Sequence, residues 1–334
     1  MVIVKSVSVM SSTLRSAETE ILDECDIPPR SPRAAMPHPI LGTMADDYWR
    51  SRAGAPRSRG VLAPRPGDPP LTAGVPGDEP PDGAPLRMTR LAPSPRAAEL
   101  VRHYWIPRWN LGEGPSVTQR VLEYPTANLV IGDGRADVHG TAIGLGSRTL
   151  TGDGEAFGVL LQPGAARAIA GIAARRLVGS SAALDRAGVA PLVAEVEARV
   201  ADGDDAGAVH AFESWLAPLG IEVNDDARLV RDLVARAEED RRLVRVDQLA
   251  AIAGVGVRQL ERLVREQLGL TPKWLIRRYR LQEAATRLTA ADRPALADLA
   301  AELGYADQAH FTREFSAVVG VPPGRYLREA EGGA

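Results

Sequence analysis

Apolar positions in the last third of the chain recur at helical spacing, and they do so twice. From Asp247 the segment "DQLAAIAGVGVRQLERLVREQLGLTP" places Val257, Leu260, Leu263 and Val264 at i, i+3, i+6 and i+7, one stripe of a helix. From Ala297, "ADLAAELGYADQAHFTREFSAVVGVPP" puts Phe311 and Phe315 on the corresponding stripe. The copies superpose with an offset of 50 at Leu249 and Leu299, Ala250 and Ala300, Gly254 and Gly304. The offset becomes 51 at Arg262 and Arg313, Gly269 and Gly320, Pro272 and Pro323, so the second turn holds one extra residue. In each copy a short helix stops at a glycine, which enters the left-handed region without a Cβ penalty, and a second helix follows after two or three residues. This spacing predicts two helix-turn-helix units with second helices at about 257–267 and 308–318. Gly256 and Asp307 stand at the equivalent helix starts, and both residue types serve as N-caps.

The segment joining the units, Pro272 to Leu288, opens with a proline suited to a first helical turn. Its inner side carries Leu275, Ile276, Tyr279, Leu281, Ala284, Ala285 and Leu288. At about 1.5 Å per residue it forms a strut roughly 25 Å long. Such a strut suits two helices held about one DNA turn, ~34 Å, apart. Upstream, the period changes. "SVTQRVLEYPTANLVIG", "ADVHGTAIGLG" and "EAFGVLLQPGAARAIAG" read as short apolar strands between Gly and Asp turns, the pattern of a small barrel or sandwich. "PLVAEVEARVA" and "AGAVHAFESWLAPLG" predict two helices that connect this β-rich part to the helical one. Their apolar stripes suit either packing within the chain or contact with a second copy.

The segment from about Asp226 to Leu327 resembles the DNA-binding domain of the AraC family of bacterial transcription regulators. "LAAELGYADQAHFTREFSAVVGVPPGRYL" resembles that family's signature almost position by position, and "GVRQLERLVREQLGLTPKWLIRRYRLQEAATRL" resembles its first unit and joining helix. Two positions depart from the pattern: Gly256 stands where the family has Ser and Val264 where it has Phe. The β-rich segment, "LLQPGAARAIAG" above all, is similar to the cupin-like sensor domains that precede the DNA-binding domain in such regulators. The resemblance implies double-stranded DNA as partner, and it admits a small-molecule effector within 88–180 and a homodimer.

Donor and acceptor geometry assigns chemistry to the outward residues. Arg258, Arg262 and Arg313 can fork onto guanine N7 and O6, and Gln308 can pair with adenine N6 and N7. Glu261 can accept from cytosine N4, and Ala309 or Thr312 can touch a thymine methyl. Arg262 and Arg313 have an alternative, pairing with a carboxylate of the preceding helix or gripping a phosphate. Lys273, Arg277 and Arg278 suit backbone contact, which positions without specifying, and for each a solvated surface role is the equal alternative.

With 40 basic and 43 acidic residues the formal net charge is −3, which disfavours a strongly cationic, nonspecific nucleic-acid binder. Hydrophobic residues make up 45% and aromatic ones only 4%, so cores should hold few large rings. No apolar run approaches the ~18 residues that cross a membrane, and the opening "MVIVKSVSVM" lacks the marks of a secretion signal. A lone cysteine, Cys25, removes an internal disulfide and cysteine-cluster metal sites, which points to a cytoplasmic chain. His103 and His139 are isolated rather than clustered as metal ligands, and no phosphate loop or activated nucleophile stands out. These features predict a non-enzyme with no catalytic residues, metal or cofactor.

The expected architecture is α+β and multidomain. A Pro/Gly/Arg-rich extension at 1–87 cannot bury enough surface to offset its ordering entropy and is expected to be disordered. Met36, Met44 and Met88 offer later starts, so the extension is alternatively a start-site artefact. A β-rich, cupin-like domain follows at 88–180, then a helical connector at 181–225 and an all-α double helix-turn-helix domain at 226–330. The competing reading is an interaction protein whose helical domain no longer reads DNA.

Overall fold

The computed structural model describes residues 72–73, 86–114, 116–121, 123–240, 242–290 and 293–331. The expected disordered extension lies outside the described residues except at Thr72, Ala73, Leu86 and Arg87. All four are strand residues, so the described sheet reaches into the segment expected to be disordered.

Ten strands are described: β1 (Thr72–Ala73), β2 (Leu86–Leu91), β3 (Val101–Asn110), β4 (Ser116–Val121), β5 (Asn128–Gly132), β6 (Arg135–His139), β7 (Gly146–Thr151), β8 (Asp153–Glu155), β9 (Phe157–Leu161) and β10 (Ser181–Ala183). The expected small barrel or sandwich takes the form of one sheet in the order β1-β2-β3-β9-β5-β6-β10, with β8 also on β3, and a separate ribbon of β4 and β7. All pairings are antiparallel except β1 with β2. The β5–β6 hairpin turns at Asp133 and Gly134, both with positive φ, as a two-residue hairpin of the type matched to strand twist requires. Its alternating residues Leu129, Ile131, Ala136 and Val138 are buried, while β9, between β3 and β5, is buried at every position.

Four helices accompany the sheet: α1 (Ala165–Ala170), α2 (Ala174–Leu177), α3 (Val189–Ala201) and α4 (Asp205–Leu216). The stripes of α3 and α4, Leu192, Val193, Val196, Val200, Ala208, Ala211 and Phe212, are buried in the sheet's own core. Phe212 meets Phe157 and Tyr104 at ring separations of 6.0 and 5.8 Å. The Tyr104 hydroxyl donates to Glu213 on α4 at 3.0 Å, and Arg108 pairs with Asp205 at 2.6 Å. These helices therefore complete the β domain, and their stripes are taken by intrachain packing rather than left for a second copy.

Seven helices follow: α5 (Asp225–Glu239), α6 (Val246–Ala253), α7 (Val257–Leu268), α8 (Pro272–Leu288), α9 (Leu296–Glu302), α10 (Gln308–Val319) and α11 (Pro323–Glu331). They build two cores on one shaft. Leu275 and Tyr279 of α8 join Val230, Leu233, Leu249, Leu260, Leu263 and Val264 in the first. Leu281, Ala284, Ala285 and Leu288 join Leu299, Phe311, Phe315, Val319 and Tyr326 in the second. Every residue expected on the inner side of the joining helix is buried. Val257, expected on the inner stripe of α7, is exposed instead, because it is the first helical residue and lies beyond the packed turns.

The two halves are in direct contact. Gly269 ends α7 with φ +73°, and a Cβ there would come within 2.8 Å of the Ala174 carbonyl oxygen and 2.6 Å of a Val178 methyl. Only glycine satisfies both the left-handed cap and this approach of α2 to the first unit.

Candidate nucleic-acid interface

Each recognition helix presents its polar face because its apolar face is held by the helix before it. On α7, Arg258, Glu261, Arg262 and Arg265 are exposed. On α10, Gln308, Ala309 and Arg313 are exposed and Thr312 is half-buried. The Asp307 carboxylate accepts from the His310 backbone N–H at 2.6 Å, which caps α10 and aims its first turn outward. Gly256 opens α7 without a side-chain cap.

Side-chain pairing separates the candidates. Arg262 pairs with Glu266 on its own helix at 2.9 Å rather than with a carboxylate of the preceding helix. An exposed i,i+4 pair of this kind contributes only about 0.3–0.5 kcal/mol, so a base or phosphate can displace it. Arg258 and Arg313 are exposed, and neither has a partner among the described residues. Lys273 is exposed on the first turn of α8.

One expected backbone contact is corrected. Arg278 is 5% exposed: its Nε donates to the Glu123 carbonyl at 2.5 Å and its Nη1 to Gln282. Burial pushes its pKa down, with Tyr279, Glu238 and Tyr124 opposing. A guanidinium enclosed by the β domain cannot reach a phosphate. Arg277 is paired with Glu314 on α10 at 3.1 Å, joining shaft to second unit. Residues on the exposed faces that pattern reading passed over are Gln259 and His310. They share helical rows with Arg262 and Arg313, three residues on, and that spacing was the available signal. His310 stacks edge-on against Tyr305 at 5.3 Å.

The two histidines considered as ligands lie on separate strands, β3 and β6, which are not neighbours in the sheet. Burial first, then the charges of Arg90 and Arg102, push His103 down to about 3. Burial and Arg148 push His139 down to about 4, with Asp137 opposing and Arg135 adding to the fall. Both stay neutral in the folded chain where the unfolded chain, at an ordinary imidazole pKa of about 6.5, takes up protons. Stability is therefore expected to be fully present above pH ~6.5 and to decline as the pH falls below it. Denaturant midpoints measured from pH 7.5 to 5 check this, and His103→Gln should flatten the decline.

Comparison with known proteins places these features. A family described as helix-turn-helix domain matches residues 249–329, and one described as Domain of unknown function (DUF6597) matches residues 89–183. An uncharacterised HTH-type transcriptional regulator of Haemophilus influenzae is 30% identical over 120 residues, 36% of this chain and 40% of that protein's length. Among solved structures, the chain is similar to a transcriptional regulator of Chromobacterium violaceum, described among AraC-type DNA-binding domain-containing proteins. The identity is 22% over 31% of this chain and 92% of that one, with a TM-score of 0.29. It is also similar to ToxT of Vibrio cholerae, 11% identical over 73% of this chain and 97% of that one, with a TM-score of 0.35. No helix among the described residues is long and apolar enough to cross a membrane. With two helix-turn-helix units built on one shaft and residues 249–329 matched as such a domain, this part of the chain is an AraC-type helix-turn-helix domain.

Proposed function

We propose that the protein is a sequence-specific DNA-binding transcription regulator that sets α7 and α10 into successive major grooves on one face of a duplex. The observation that carries this reading is the equivalence of the two units. Each is cored on one end of α8, and each turns a short helix outward with an arginine at the matching position, Arg262 and Arg313. Arg258, Glu261 and Arg262 read one block and Gln308, Ala309, Thr312 and Arg313 the other, while Lys273 holds the backbone. The β domain acts as a non-catalytic control module over 88–180, and an effector bound there would act through its contacts with α5 and α8. Those contacts favour control from the β domain over two independent domains.

The test is selection of DNA from a random library by the full chain, with Arg313→Ala and Arg258→Ala in parallel. Two short motifs about ten base pairs apart are expected. Arg313→Ala should weaken its preferred site by about 1–3 kcal/mol and relax one position of one motif. An equal loss on every sequence would make Arg313 a phosphate contact. No enrichment at moderate salt would favour an interaction protein whose helical domain does not read DNA.

A further inference from the structure

The loop after β4 drives a tyrosine into the seam between the β domain and the first helix-turn-helix unit. Tyr124 lies under the Arg102 guanidinium at 4.1 Å and meets the Tyr279 ring edge-on at 6.5 Å, with Arg278 at 6.0 Å. Its hydroxyl donates to Glu238 near the end of α5 at 2.6 Å, and Arg102 donates to the same carboxylate oxygen at 3.0 Å and to the tyrosine oxygen. The preceding residue continues the seam: the Glu123 carbonyl takes Arg278 of α8, and its carboxylate takes the Ala142 N–H at 2.6 Å. That second bond ties down the loop after β6. There the Ile143 carbonyl accepts from the Trp274 indole of α8 at 3.1 Å, and Leu145 packs against the core of the second unit.

The β domain thus grips three bodies: α5 of the first unit through Tyr124, the shaft through Arg278 and Trp274, and the second unit through Leu145. The two units otherwise depend on opposite ends of α8 for their relative placement. A rotation of either one about the shaft would break contacts in this seam.

We propose that Glu123 and Tyr124, with Arg102 behind them, form a positioning wedge by which the β domain fixes the separation of the two recognition helices. The wedge would restrict the spacing of the two DNA blocks that the protein accepts. The proposal rests on the two-groove reading above. One inserted base pair shifts a block by about 3.4 Å along the duplex and turns it by about 36°, a change that a wedged pair of units resists and a loosened pair follows.

The experiment measures binding of the full-length chain to the selected site and to versions with one base pair added to or removed from the spacer. Wild type should prefer the selected spacing by about tenfold, mid-range for coupling between sites. Tyr124→Ala should still bind both blocks while that preference falls below about threefold. Tyr124→Phe keeps the ring, loses the bond to Glu238, and should fall between. It replaces Tyr124→Ala if circular dichroism shows that variant unfolded. Phe212→Leu, which loosens the β core away from the seam, should lower the melting temperature and leave the preference unchanged. A wild-type preference retained in both Tyr124 variants overturns the wedge. Tighter binding at every spacing also overturns it and marks the seam as inhibitory. A wild type that selects no paired motif removes the two-groove reading itself, and the wedge with it.

Discussion

Replacing Phe311 with alanine is expected to cost about 3–5 kcal/mol and to unfold the second helix-turn-helix unit first. The ring is fully buried at the centre of an aromatic chain, 5.3 Å from Tyr305 and 5.6 Å from Phe315, which in turn lies 5.5 Å from Tyr326. These rings join α10 to its flanking helix α11 and to the residues just after α9. The chain has only 4 phenylalanines, and two of them fill this small core. Phe311→Leu, which keeps most of the volume, should cost under about 1.5 kcal/mol. Chemical denaturation followed by hydrogen exchange checks both. The alanine variant should lose protection in α9–α11 before the β sheet, and a uniform loss across the chain would make the two halves one cooperative unit.

Glu238→Ala is expected to cost a comparable ~3–5 kcal/mol, for an electrostatic reason. The Glu238 side chain is 7% exposed and that of Arg102 is 14% exposed, so the pair is shielded from water. Removing the carboxylate takes away the acceptor of the Tyr124 hydroxyl and leaves the Arg102 charge in a site where Arg278 also lies near. Taking one carboxylate from a buried charge pair costs far more than the net worth of the pair. Replacing both partners at once, Glu238→Leu with Arg102→Met, should therefore recover much of the loss. Melting temperatures of the single and double variants give the coupling, and strict additivity would contradict a direct buried pair. In a chain of this size each kcal/mol moves the melting temperature by roughly 2–4 °C.

The corrections to pattern reading share one cause. Both recognition helices appeared within a residue of their ends, because glycine stops, caps and a 3.6-residue stripe are local signals. The β5–β6 hairpin was equally legible in its Asp-Gly turn and alternating residues. Arg278 was misread because an arginine on a helix between two units looks solvated by default. What encloses it is Glu123, 155 positions away, and no helical period encodes that distance. The ion pair of Arg277 was hidden for the same reason, its partner Glu314 lying on another helix. The stripes of α3 and α4 left a choice between self-association and internal packing that only the sheet's position resolved.

Local sequence set which residues form the second helix of each helix-turn-helix unit, what stops them, and which side chains they turn outward. These depend on interactions within a few residues, namely capping, left-handed glycines and the burial of one stripe against the adjacent helix. Tertiary structure alone decided which basic residues are free. Arg258 and Arg313 stand without partners among the described residues, Arg277 is held across α8 and α10, and Arg278 is enclosed by the β domain. It also decided that the β domain grips α5, α8 and the second unit together. Charge pairing and desolvation depend on which distant segments arrive at the same place, and that is settled only when the whole chain has folded.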